Sequence, residues 1–448
     1  MQEKTVQFTR TIAGFVAATD AAEIPYAAYE HAKIAFMDWF AVTIAGKDDP
    51  LVDKLIRYAE LMGGNEQATI LGHGIRKTVS QAALINGSAS HALDYDDTLR
   101  TFLGHPSVTL FPGLLALAEW REASGKDLLS AYLIGLKVGA VVGAAAGLEH
   151  YKAGWHATST IGYLASAGGC ARLLGLDEQQ TIHCLGIAGT QASGLKRVFG
   201  SMCKPFHAGR CSQGGVMAAL LAREGFTSAE DILEGSHGFF HVLRGTGNEK
   251  ALASLGKSWE AENLAQKYHA SCHATHSPIE AALEIVHNQG IDPGHITSIE
   301  VRSSQISLDA AGKLAPNTGL EGKFSIPYCV SNAILRGATG MQAFTDGKVG
   351  DPAVREFMNK VTVSLDESME ALEAKVTVRT DDGKTYSAFS DILEQIPALE
   401  TKKVKIADKY ADLCGPVLGD EKTKDIAETI LALDELANVR DLTERITE

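Results

Sequence analysis

From about residue 5 to residue 264, apolar side chains return every three or four positions, the period of helices that turn one face inward. Residues 30–45 (EHAKIAFMDWFAVTIA) follow this rule, and Gly46 is placed to end the helix as its cap. Residues 78–93, rich in Ala, Ser and Gly, predict a helix packed closely against its neighbours. Residues 107–120, 128–148, 158–174 and 178–193 continue the series, with short, Gly-punctuated loops between them. The most apolar stretch, 131–148, is interrupted by Lys137 and so falls short of the ~18 uncharged residues a membrane span needs. Its Gly139, Gly143 and Gly147 recur at spacing four, which predicts a helix face that another helix can approach closely. This reads as a buried packing helix.

The pattern changes after Lys267. Residues 296–303 (ITSIEVRS) alternate and are β-branched, predicting a strand, as do 361–365 and 374–379. Thr380-Asp-Asp-Gly-Lys384 is a hairpin turn with 385–389 as its return strand. Helical segments at 278–289 and 328–336 lie among the strands, and helices resume at 402, ending with 425–436. The predicted architecture is mainly α. Residues 1–266 and 396–448, from both ends of the chain, form a large all-helical domain, and residues 267–395 form a smaller inserted α+β domain. Clefts between two such domains are common ligand sites.

With 45% apolar and 21% charged residues the composition is that of a globular protein. A net charge of -14 argues against bulk nucleic-acid binding, which needs clustered Lys and Arg, but leaves an anionic substrate open. Seven scattered cysteines without a CxxC argue against a disulfide framework or a zinc knuckle. Together with a polar start that does not resemble a secretory signal, they point to the cytoplasm.

Five segments carry the candidate chemistry. His91-Ala-Leu-Asp94-Tyr-Asp96-Asp97-Thr98, followed by Gly104-His105-Pro-Ser, places three carboxylates in four residues near a histidine. Either these Asp side chains cap the next helix, or Asp94 orients or accepts a proton with His105 as the acid/base group, the usual choice near neutral pH. In Gly154-Trp-His156-Ala-Thr, His156 precedes a helix N-terminus, a position that favours anions; it can equally be a packed histidine. Residues 181–223 carry five Lys or Arg and no Asp or Glu. Within them, Lys204-Pro-Phe-His-Ala-Gly-Arg210 reads as a basic loop leading into a helix at 211–222, suited to carboxylates, or as a solvated basic surface. His269, His273 and His276 stand at i, i+4, i+7, but no HExxH and no fitting acidic ligand accompany them, so a metal reading yields to His276 as a substrate-binding group at a helix start. In Lys323-Phe-Ser-Ile-Pro-Tyr328, Tyr328 would project from a helix start as a donor, or sit in the core. No P-loop, strand-borne GxGxxG, GxSxG elbow or kinase set is present. What remains is equipment for acid/base work on a carbon acid.

Taken in order, Asp94-Tyr-Asp-Asp-Thr98 with Gly-His105-Pro-Ser, Gly-Trp-His156-Ala-Thr, Lys204-Pro-Phe-His-Ala-Gly-Arg210, Cys272-His-Ala-Thr-His276 and Lys323-Phe-Ser-Ile-Pro-Tyr328 resemble the MmgE/PrpD family over nearly the whole chain. That family includes 2-methylcitrate dehydratases, cis-aconitate decarboxylases and iminodisuccinate epimerase. The resemblance implies a large helical domain, a smaller α+β lid, a homodimer and no cofactor or metal. It also implies a site between the domains lined by Asp94, Thr98, His105, His156, Lys204, His276 and Tyr328. His105 and His156 would transfer protons, Lys204 and His276 would hold carboxylates, and Tyr328 would assist proton delivery. Arg210 closes the third motif and is grouped with the substrate-binding residues. The run Lys267-Tyr-His-Ala departs from the Lys-Pro-Tyr-Pro-like run of many members, and Arg100, in the unmatched segment 99–104, is a further candidate carboxylate clamp. The leading expectation is a 2-methylcitrate dehydratase-like hydro-lyase acting on a small polycarboxylate. A dicarboxylate epimerase comes second and a cis-aconitate-type decarboxylase third. A metal-dependent hydrolase using the three histidines, or a binding protein without turnover, are the rivals from other classes.

Overall fold

The structure, a computed structural model, describes residues 7–337 and 339–447. It is mainly helical with two small sheets. The chain divides into two compact units, one of residues 1–266 with 399–448 and the other of residues 267–398.

In the first unit the helix starts are written into the sequence. Thr78 and Gln81 form a reciprocal capping box on the Val79–His91 helix, and Asp177 and Gln180 do the same for Glu178–Gly189. Ser124 caps Gly125–Ala146. The Val79–His91 and Cys203–Arg223 helices touch backbone to backbone. A Cβ on Gly87 would stand 2.7 Å from Gly209 Cα, and one on Gly209 only 2.1 Å from Leu84 O. The loop expected at 204–210 is therefore part of the helix, which begins at Cys203. Its Gly209 permits this crossing rather than a turn. Gly46 likewise does not end its helix by a left-handed cap. The Tyr26–Gly46 helix runs into Lys47, and a Cβ at Gly46 would meet Ala89 O at 2.2 Å.

The glycines of Gly125–Ala146 give the close approach expected of them, Gly139 to Ala165 of the Ala157–Leu174 helix, but they also admit a loop. Gly143 makes room for the backbone of Thr101, and Gly139 for the ring of Phe102, so this face receives a loop rather than only a helix. Gly147 lies beyond the helix end at φ 72. By length and composition this helix could cross a bilayer, but 94% of its most apolar window is buried within the chain. Lys137, fully buried, is neutralised by Glu260 at 2.6 Å and also donates to Ser258 at 3.0 Å. The C-terminal helices Leu399–Leu418 and Asp420–Leu431 complete the unit, with a further short helix, Arg440–Thr447, that the pattern did not reveal.

In the second unit a sheet runs in the order Val361–Leu365, Ile296–Ser303, Glu373–Thr380, Thr385–Asp391. The first pair is parallel and the others antiparallel. Its hairpin turns through Gly383 at φ 81. Alternation puts Ile299, Val301, Val376 and Val378 inward, against Ala281, Ala282 and Ile285 of the His276–Gln289 helix.

Candidate active site

The segment after the Val79–His91 helix carries the densest charge. Asp94 takes a left-handed conformation (φ 52), which Asp tolerates better than most residues, and this redirects the chain so that Tyr95, Asp96 and Asp97 turn inward. Beneath them the buried Lys409 contacts Asp38 at 2.5 Å and donates to Tyr95 O at 2.7 Å, pinning the turn from below. Asp97 accepts from Ser107 N at 3.3 Å and from Ser107 Oγ at 2.5 Å, fixing the start of the Ser107–Arg121 helix just after His105. On the other side, Gly104 packs where a Cβ would lie 2.5 Å from Thr158 Oγ1, and His105 N donates to that oxygen at 3.2 Å. His105 is thus held at both neighbours.

Asp96 bridges two imidazoles. Its Oδ1 is 2.9 Å from His91 Nδ1 and its Oδ2 is 2.9 Å from His105 Nδ1. Burial pushes the Asp96 carboxyl up, but the two imidazoles outweigh this and hold it well below its usual range. Burial pushes His91 down to about 4, so it stays neutral at pH 7 and donates its Nδ1 proton to Asp96. With Nδ1 of His105 facing Asp96, its Nε2 is turned to Asp94, 3.9 Å from Oδ1. Lys204 Nζ is 2.8 Å from the same Asp94 oxygen. Asp97 behaves oppositely to Asp96. Burial first, then the charge of Asp38, raises it to about 8 despite the Ser107 hydrogen bonds.

His156 sits at the N-cap of the Ala157–Leu174 helix without capping it through its side chain. Its backbone N donates to Gly194 O at 2.9 Å, and its Nδ1 is 3.0 Å from His207 Nδ1. Burial, followed by the nearby His91 and Lys204, keeps its pKa well below the ordinary histidine value. Its ring stands 6.2 Å from that of His91, and the His91 and His105 rings are 4.6 Å apart. The structure therefore gathers Asp94, His105, His156 and Lys204 into one cluster, and adds His91, Asp96 and His207, which the sequence reading left without roles. Lys204 and His207 are three residues apart on one helix and so share a face, a signal hidden while 204–210 was read as a loop.

Of the remaining expected residues, Thr98, Arg100 and Arg210 belong to the helical unit. Thr98 pairs through its backbone with Ala265. Arg100 is exposed at the start of the turn closed by Leu103 N to Arg100 O. Arg210 donates to Gln213 Oε1, and Gln213 Nε2 donates in turn to Ser80 Oγ. His276 and Tyr328 belong to the α+β unit. His276 is buried, begins its helix and lies 3.3 Å from Ser271 O through Nε2. Tyr328 does not project from its helix start. It is fully buried, its hydroxyl donates to Ala343 O, and burial raises it to about 12. Proline in the first turn and the Ser325 cap start its helix, and the ring packs on Phe344 and Gly322.

Among the described residues, the ligand atoms of His91, Asp94, Asp96 and His105 all lie within 4.8 Å of one another, close enough for a cation. The triple His269, His273 and His276 is not that group. Lys204 already supplies positive charge at Asp94, which leaves the cluster better suited to proton transfer than to a divalent ion.

This fold and cluster define a class. The chain matches the MmgE/PrpD N-terminal domain over residues 10–251 and the C-terminal domain over residues 269–435, and it belongs to the MmgE/PrpD family. Its relatives include a cis-aconitate decarboxylase of Aspergillus terreus, 27% identical over 95% of this chain and 93% of that protein. A cis-aconitate decarboxylase-like protein of Aspergillus oryzae is 25% identical over 97% and 96%. The human cis-aconitate decarboxylase is 25% identical over 92% and 89%.

Proposed function

We propose that this protein is an acid/base lyase acting on a small polycarboxylate, with dehydration as its leading reaction. The observation that supports this most is the pair of separately supported imidazoles, His105 on Asp96 and His156 on His207, beside the ammonium of Lys204. Dehydration needs one group to take a proton from the carbon next to a carboxylate and another to protonate the departing hydroxyl. Lys204 holds a substrate carboxylate in place of Asp94 and steadies the charge that develops on it. Thr98, Arg100 and Arg210 are the further residues offered to the substrate's other polar groups. Tyr328, with its hydroxyl committed to a carbonyl, is left out of the proton path.

A second reading has its own support. The relatives are named for cis-aconitate decarboxylation, a lyase reaction in which carbon dioxide leaves and one proton is delivered to carbon. Incubation in deuterated water with citrate, 2-methylcitrate, cis-aconitate and amino- or imino-dicarboxylates, followed by NMR, separates the cases. A new alkene from a hydroxy acid identifies the hydro-lyase. Carbon dioxide release with a deuterated product identifies the decarboxylase. Inversion without a new product identifies an epimerase. No change across the panel contradicts the proposal.

A further inference from the structure

We propose that His207 is the proton conduit of His156, passing protons between the buried imidazole and solvent. This deepens the acid/base reading above and rests on it. His156 is 3% exposed, whereas His207 is only half-buried. Their Nδ1 atoms are 3.0 Å apart, a hydrogen bond in which one ring must donate and the other accept. The pair is a built arrangement. Gly194, at φ 130, binds His156 N through its carbonyl, and a Cβ there would come 3.3 Å from His207 Cε1. The strand-like pairing of Trp155 with Leu195 holds this segment against the His156 turn. Phe199 stands edge-on to the His156 ring at 4.8 Å and shields it.

Burial lowers both imidazoles, so each is neutral and carries one proton. The transfer then balances without a charged intermediate persisting. His156 Nε2 takes a proton from the substrate carbon. The Nδ1 proton of His156 moves to Nδ1 of His207, and His207 releases its Nε2 proton to water. One proton has left the carbon for solvent, each ring again holds one proton, and each has changed tautomer. Delivery of a proton to carbon runs the same steps backwards.

Two measurements test this. In the wild type with 15N-labelled histidine and no substrate, scalar coupling across an Nδ1–H···Nδ1 bond joins one pair of rings and disappears in His207→Ala. Absence of that coupling in the wild type overturns the pairing. Turnover is then measured against imidazole concentration for the wild type, His207→Ala and His207→Asn. Asn keeps a hydrogen bond to His156 but cannot pass a proton on. The expected result is wild-type kcat independent of imidazole, and both variants reduced roughly tenfold or more with little change in KM. Added imidazole restores their kcat. Full activity of His207→Asn, or a loss that imidazole does not relieve, makes His207 structural only and overturns the conduit, leaving the acid/base reading intact. A folded wild type that turns over no polycarboxylate overturns that reading, and the conduit with it.

Discussion

The two histidine-rich clusters of this chain are built on opposite plans. In the helical unit, imidazoles alternate with carboxylates and an ammonium. His91, Asp96 and His105 are linked in series, Asp94 lies between His105 and Lys204, and His156 is backed by His207. Asp94 and Lys204 keep part of their side chains exposed. In the α+β unit, His269, His273 and His276 pack ring against ring at 4.8 Å. There polar groups are tied inward, His269 to Thr339 and Glu280, His276 to Ser271 O, and Tyr328 to Ala343 O. Histidine count alone does not mark a reacting site. What marks it is a titratable ring whose protonation and orientation are set by a partner on one nitrogen while the other nitrogen remains for chemistry.

The strongest way to break this contrast is to remove members of the first cluster. His105→Ala is expected to lower kcat by roughly 10²–10⁴ while circular dichroism and melting stay near wild type, because His105 is a partly exposed loop residue. Asp96→Asn follows, with an expected loss of about a hundredfold, since it frees the ring orientation and tautomer of His105 without touching substrate. A loss below threefold would show that the Asp96 bridge is merely structural. Tyr328→Phe should cost less than about tenfold in kcat and about 1 kcal/mol in stability, the worth of one buried hydrogen bond. A collapse of kcat comparable to that of His105→Ala would move the chemistry toward the α+β unit and sink the contrast.

Stability, as distinct from turnover, is expected to respond to pH through Asp97. Asp97 is raised to about 8 in the folded chain from an ordinary value of 3.8. Between these values the folded state holds a proton that the unfolded state has lost. Stability is therefore fully supported below 3.8, falls as pH rises toward 8 at up to about 1.4 kcal/mol per pH unit, and levels off above it. Asp97→Asn removes that slope. Its melting temperature relative to wild type should rise between pH 5 and pH 8.5, and a difference that stays constant or falls would contradict the buried, protonated Asp97.

Much of this was legible in the chain. The strand at Ile296–Ser303 follows from alternation and β-branched residues, and the hairpin from Asp-Asp-Gly. The helices around the site follow from their period. Two of the misreadings share one cause. Gly46 and Gly209 serve close approach of another backbone, and a glycine that makes room for a neighbour looks, in sequence, like one that makes a turn. Reading 204–210 as a loop hid the helical face shared by Lys204 and His207. Asp96 and His91 stood in the first motif, but their link depends on the left-handed turn at Asp94, which local pattern does not announce. Tyr328 was legible as a helix-start residue and not as a buried one, because its direction is set by tertiary packing on Gly322 and Phe344.

The most direct test of the central claim, that the His105–Asp96–Lys204–Asp94 cluster moves a proton next to a carboxylate, is solvent deuterium exchange into a polycarboxylate followed by NMR. It compares the wild type with His105→Ala and Lys204→Ala under identical conditions. The account predicts deuterium at the carbon next to a carboxylate with the wild type, and at least a hundredfold slower uptake with each folded variant. Exchange at the wild-type rate in either variant would contradict it.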